Sequence, residues 1–70
     1  MLFSLEQQNN LRQKFGIQSE FDFRVELKRG NFDNASRWCN YIRENRNEFP
    51  NCNDEWFKQR ELELFDTNIG

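Results

Sequence analysis

The stretch from Leu27 to Pro50, L-K-R-G-N-F-D-N-A-S-R-W-C-N-Y-I-R-E-N-R-N-E-F-P, constrains the fold more than any other part of the chain. It carries a helix stop, a helix start and an apolar stripe in succession. Lys28 and Arg29 put positive charge where the carbonyl end of a preceding helix favours cations. Gly30 can take the left-handed conformation that ends a helix, and Asn31 is placed to accept from the first free amides of the next one. Asp33 adds a carboxylate at that helix's positive end. Ala35, Trp38, Cys39, Ile42 and Phe49 then recur at the three- and four-residue spacing of one helical face, with Asp33, Arg37, Asn40, Glu44 and Glu48 opposite. Pro50 turns Phe49 away from helical angles, so one helix is expected over residues 32–49.

Upstream, Ser4-Leu5-Glu6-Gln7 has the form of a capping box, predicting a helix from about Leu5 to Phe15 with Leu11 and Phe15 on one face and Gly16 as its stop. Downstream, Asn53 caps a last helix opened by Asp54 and Glu55, to which Trp56, Phe57, Leu62, Leu64 and Phe65 bring apolar surface; Asp66 to Gly70 reads as a frayed end.

Residues 20–28 admit two conformations. Phe21, Phe23, Val25 and Leu27 alternate with Asp22, Arg24, Glu26 and Lys28, the period of a half-buried strand. Ser19-x-x-Asp22 and Lys28-Arg29-Gly30 instead bracket a helix, on which Phe21 lies over Val25 and Phe23 over Leu27, two rows suited to two neighbours. The favoured architecture is a single all-α domain over residues 1–70, a small bundle of about four short helices with a helical hairpin at 20–49. The alternative is α+β, with strand 20–28, helix 32–49 and strand 60–66.

Seventy residues leave room for one modest core, and chains of this size often add disulfides, metal or oligomerisation, which makes a homodimer an open route to further burial. Eight Phe, two Trp and one Tyr supply large area per residue, which is how so polar a sequence can have a core. The net charge of -2 argues against a nucleic-acid partner, which would need many phosphates neutralised. No apolar run has the length of a transmembrane helix and the start lacks a secretory pattern, so a cytoplasmic protein without membrane attachment is expected.

The chemistry in the sequence is sparse. There is no histidine, and two cysteines fall short of a zinc ligand set, so no metal and no cofactor are expected. Scattered acids without a phosphate loop or serine motif give no catalytic residues, and the chain reads as not an enzyme. Cys39 falls on the apolar stripe and Cys52 in a polar loop, where it is expected to be the more exposed thiol; an intervening helix would hold the two too far apart for a disulfide. Glu61 and Glu63 are expected at the surface. Asn34-Ala35-Ser36 is formally a glycosylation sequon in an asparagine-rich chain.

Trp38, Tyr41, Arg46 and Trp56 are the candidate partner-binding residues, since interface energy concentrates in Trp, Tyr and Arg. Each has a structural alternative. Trp38 can be core, Tyr41 lies to one side of the stripe, and Trp56 has Lys58, Gln59 and Arg60 near it. Arg46 falls within the apolar arc, where it can snorkel, pair with an acid or meet a partner.

Two resemblances accompany these residues. Ser4 to Arg12, S-L-E-Q-Q-N-N-L-R, resembles the opening of the small non-bleaching proteins that direct phycobilisome degradation in cyanobacteria; nothing after Phe15 matches. Gly30-Asn31-Phe32-Asp33-Asn34-Ala35, then a helix and Pro50, resembles the second half of a tetratricopeptide-type repeat, and Glu20-Phe21 and Glu55-Trp56 open segments at nearly that repeat's spacing. This second resemblance spans about residues 21–65 and departs from the pattern at Phe23, Glu26 and Pro50. It implies a helical hairpin, a small Ala35 at a close helix contact, and a protein segment as ligand.

The expectation is a small intracellular protein-protein interaction module, an adaptor, inhibitor or assembly subunit working through a helical face on another protein. The alternative is a helix-turn-helix-like nucleic-acid-binding regulator, with Lys28, Arg29, Arg37, Arg43 and Arg46 on phosphates.

Overall fold

A computed structural model describes residues 2–69 of the chain, with side chains through Asp66. The order of elements is α1 (Leu5–Phe15), α2 (Glu20–Lys28), α3 (Phe32–Glu44), a single 3₁₀ turn (Arg46–Glu48) and α4 (Asp54–Ile69). No strand occurs among the described residues, which removes the α+β alternative.

Local chemistry sets most of the boundaries. At α1 the Gln7 amide donates to Ser4 Oγ at 3.1 Å and the Ser4 amide to Gln7 Oε1 at 2.8 Å, a complete capping box. Gly16, at φ 75°, ends that helix by donating its N–H to the Arg12 carbonyl. Ser19 caps α2 and the Asp22 carboxylate reaches back to the Gln18 amide. Asn53 Oδ1 accepts from the Trp56 amide at 2.9 Å and opens α4.

The junction between α2 and α3 departs from expectation. The Gly30 amide bonds to the Leu27 carbonyl and the Asn31 amide to the Glu26 carbonyl, the paired bonds of a Schellman stop with Gly30 at φ 82°. Asn31, at φ -85° and ψ 58°, is outside the extended backbone of a capping residue and makes no side-chain cap for α3.

The alternation in α2 resolves into two rows. Phe23 and Leu27 enter the core, whereas Phe21 is 71% exposed and Val25 half-buried, so only one row packs on a neighbour. The strand candidate at 60–66 lies inside α4, leaving residues 20–28 no ladder to join.

The helix predicted over 32–49 stops at Glu44. Asn45 leaves helical angles (φ -117°, ψ 38°), and its side-chain amide donates to the Tyr41 carbonyl at 2.8 Å while its backbone N–H bridges the Tyr41 and Ile42 carbonyls. A tighter turn follows, closed by Glu48 N–H to Asn45 O and Phe49 N–H to Arg46 O, and it swings Phe49 into the core from outside the helix. Cys52 is carried inward with it. α4 continues through Ile69 where fraying was expected from Asp66; Gly70 lies outside the described residues.

Side-chain pairings give the directions. Phe23 meets Trp38 and Glu26 meets Asn34, so α2 and α3 are antiparallel; Arg43 with Glu61 and Arg46 with Asp54 make α3 and α4 antiparallel. Glu20 with Arg60 and Arg24 with Glu63 make α2 and α4 parallel neighbours. α3 touches every other element and supplies Ala35, Trp38, Cys39 and Ile42 to the core. Around the wholly buried Trp38 gather Phe23, stacked at 5.2 Å, Trp56 at 5.7 Å and Phe3 edge-on at 6.0 Å. Phe3 and Ile17, neither marked by periodicity, complete the packing from outside the helices.

Gly30→Ala tests the Schellman stop. A Cβ there meets nothing within 4 Å, so the cost is the left-handed backbone alone, expected at about 1 kcal/mol. Urea unfolding followed by circular dichroism is predicted to show that loss at an unchanged m-value; an unaltered midpoint would contradict it.

Candidate functional site

The four residues nominated as partner anchors do not form one surface. Trp38 has 0% exposure, and Trp56 is buried with its ring against Phe57 at 5.0 Å. Both indoles, named above as candidate contact residues, lie in the core, and neither indole N–H makes a hydrogen bond among the described residues. Tyr41 is half-buried at the seam of α1 and α3, its ring against Phe15 and Phe49, its hydroxyl accepting from Asn10 Nδ2 at 3.1 Å and the Lys14 ammonium 5.3 Å from its centroid. Arg46 sits at the turn before α4, exposed, paired with Asp54 at 2.9 Å and lying over Phe57.

Arg60 is the charged residue that the sequence did not single out. Only 6% exposed, it forms an ion pair with Glu20 on α2, contacts Glu63 one turn along α4, and lies 5.5 Å from the Trp56 ring centroid. Glu63, expected at the surface, is half-buried and shared: Arg24 reaches its Oε1 at 3.2 Å, as does Arg60 Nη2. Arg60 Nε lies 3.1 Å from Glu63 Oε2 but at an angle that makes no hydrogen bond. Burying a guanidinium costs several kcal/mol unless carboxylates surround it, so this network fixes α4 against α2. The Trp56-Arg60-Glu63 spacing is visible in the sequence; Glu20, forty residues away, is not.

With Arg60 turned inward, the opposite side of α4 faces solvent. Leu62 and Phe65, three residues apart and hence adjacent on the helix, are 46% and 62% exposed. Lys58 and Asp66 flank them on the same face, and neither forms an ion pair among the described residues. Phe21 is exposed on the neighbouring α2 and Leu5 on α1. Beside this face a groove of about 290 Å³ runs between α2 and α4, lined by Arg24, Leu27, Lys28, Glu63 and Asp66. A polar groove of about 410 Å³ is lined by Ser4, Glu6, Gln7, Asn10, Glu48 and Phe49.

Both cysteines are free thiols, and both are buried, which corrects the exposed position expected for Cys52. Burial pushes Cys39 up to about 12; Arg43 opposes the rise, while Glu63 and Cys52 add to it. Burial likewise pushes Cys52 up to about 11, against the pull of Arg46. A thiol so protonated at neutral pH is a poor nucleophile. Among the described residues no cluster of three or more His, Cys, Asp or Glu could hold a metal ion, and no helix is long and apolar enough to cross a membrane. Of the five cations nominated for phosphate, Arg37 pairs with Asp33, Arg43 with Glu61 and Arg46 with Asp54. Comparison of the chain with protein-family models, curated proteins and solved structures finds no match.

Two predictions follow from the buried charges and thiols. Glu63→Gln, which keeps shape but strips the counter-charge from Arg60 and Arg24, is expected to cost about 1–3 kcal/mol. Arg60→Met removes the desolvated charge itself and is expected to cost less; the reverse order in urea melts would contradict the network's energetics. Because folding raises both thiol pKa values above the ordinary 9.0, their contribution to stability is complete below pH 9 and is lost as pH rises through about 11 to 12. The Cys39→Ala/Cys52→Ala variant should therefore lose less stability than wild type between pH 9 and 11.5 in matched urea melts. Parallel curves would refute this.

Proposed function

We propose that the protein is a protein-protein interaction module of the cytoplasm, serving as an adaptor, inhibitor or assembly subunit through the outer face of α4. The observation that carries this is the adjacent pair Leu62 and Phe65, left in water although the other large apolar side chains described on α3 and α4 are buried or half-buried. Single exposed apolar residues are commonplace, but a contiguous aromatic and aliphatic pair on a helix with a fixed back is the form that interface anchors take. The Arg60 network supplies the fixed back, so the face is presented without ordering cost on binding.

A tetratricopeptide-like arrangement is consistent with this. α2 begins at Glu20 and α4 at Asp54, 34 residues on, the two helices lie side by side in parallel, and Ala35 on α3 is fully buried. The free thiols agree with a reducing compartment.

A photo-crosslinking side chain at position 65, in cells expressing the full chain, is expected to trap a defined protein species, whether another chain or a second copy. The same side chain at exposed position 13 on α1 is expected not to. Equal trapping from both positions, or none from 65, would overturn the proposal.

A further inference from the structure

We propose that the occupant of the α4 face is a second copy of this chain, packed antiparallel along α4 about a two-fold axis at Leu62. The inference rests on the interaction-module function above and names the partner. Lys58 and Asp66 stand four residues to either side of Leu62, which places both on its face of the helix. They are opposite in sign and make no ion pair within the monomer, although Arg24 and Lys28 line the same groove as Asp66.

A two-fold axis at Leu62 exchanges the two ends of this stripe. Lys58 then faces Asp66 of the partner subunit, twice by symmetry, on either side of a centre made by Leu62 and Phe65 from both copies. Other registers lose this match. Parallel pairing sets Lys58 against Lys58 and Asp66 against Asp66. An antiparallel shift that brings Leu62 onto Phe65 sets Glu61 opposite Asp66, like against like. The remaining acids of this part of α4 are already held in the monomer, Glu61 by Arg43 and Glu63 by Arg24 and Arg60, so they do not compete for Lys58.

The stripe from Lys58 to Asp66 is nine residues long, about 12 Å of helix from end to end, and offers two large apolar side chains per copy. That is below the area of a standard stable interface, so the association is weak, concentration-dependent and sensitive to salt.

Sedimentation velocity over a wide concentration range at low ionic strength tests it. The wild-type chain is expected to move from monomer to dimer. Lys58→Glu and Asp66→Lys are each expected to weaken association about tenfold, and the double variant to restore it to within about threefold of wild type. Both positions are exposed, and circular dichroism will confirm that each variant is folded. A wild-type chain that stays monomeric throughout, or a dimer that the single swaps leave unchanged or the double swap fails to rescue, overturns the inference. If a crosslinker at 65 then still traps a different protein, only the identity of the partner falls; if it traps nothing, the interaction module falls with it.

Discussion

Trp38 occupies the point at which every other element must bury its apolar side chains. A chain this short cannot build two cores, and its aliphatic residues are too few to fill one, so aromatic rings provide most of the packed area. α3 carries the ring, Phe23 brings α2 flat against it, Trp56 brings α4, and Phe3, just ahead of the first cap, closes the remaining side. Leu11 and Ile17 fill in around them. α2 and α4 run with one another and against α3, the element that all the others touch.

What the sequence revealed, and what it hid, divides along the line between local and distant interactions. The ends of α1, the stop at Gly30 and the start of α4 depend on hydrogen bonds between groups no more than five residues apart, at positions whose glycine, serine or asparagine is legible in the sequence for that reason. Asn31 has the residue type of a cap, but its backbone after the Gly30 turn (φ -85°, ψ 58°) lies outside the extended region that a capping side chain uses. The early end of α3 turns on Asn45, an ordinary polar residue whose amide competes for the Tyr41 carbonyl, and Pro50 drew attention to a later boundary. Phe3, Ile17 and Cys52 lie in connecting segments, where no periodicity reports burial.

The candidate site was less legible still. Trp38 and Trp56 have the residue type of interface anchors, and the same area that would serve an interface serves the core of a small domain better. Arg60, placed among Lys58, Gln59 and Glu61, looks like surface until Glu20 arrives from α2. Once Arg60 is inside, the rotation of α4 is set, and Leu62 and Phe65 are forced outward. The exposed face is thus a consequence of the buried charge behind it, and the two belong to one arrangement.

If the rings around Trp38 join α2, α3 and α4 into one cooperative unit, none of the three can open by itself. Native-state amide hydrogen exchange measures this most directly. The slowest amides in α2, α3 and the Trp56 to Glu63 part of α4 are predicted to share one opening free energy, equal to that of global unfolding. An α4 that exchanges at a distinctly lower free energy, while α2 and α3 remain protected, would contradict the account.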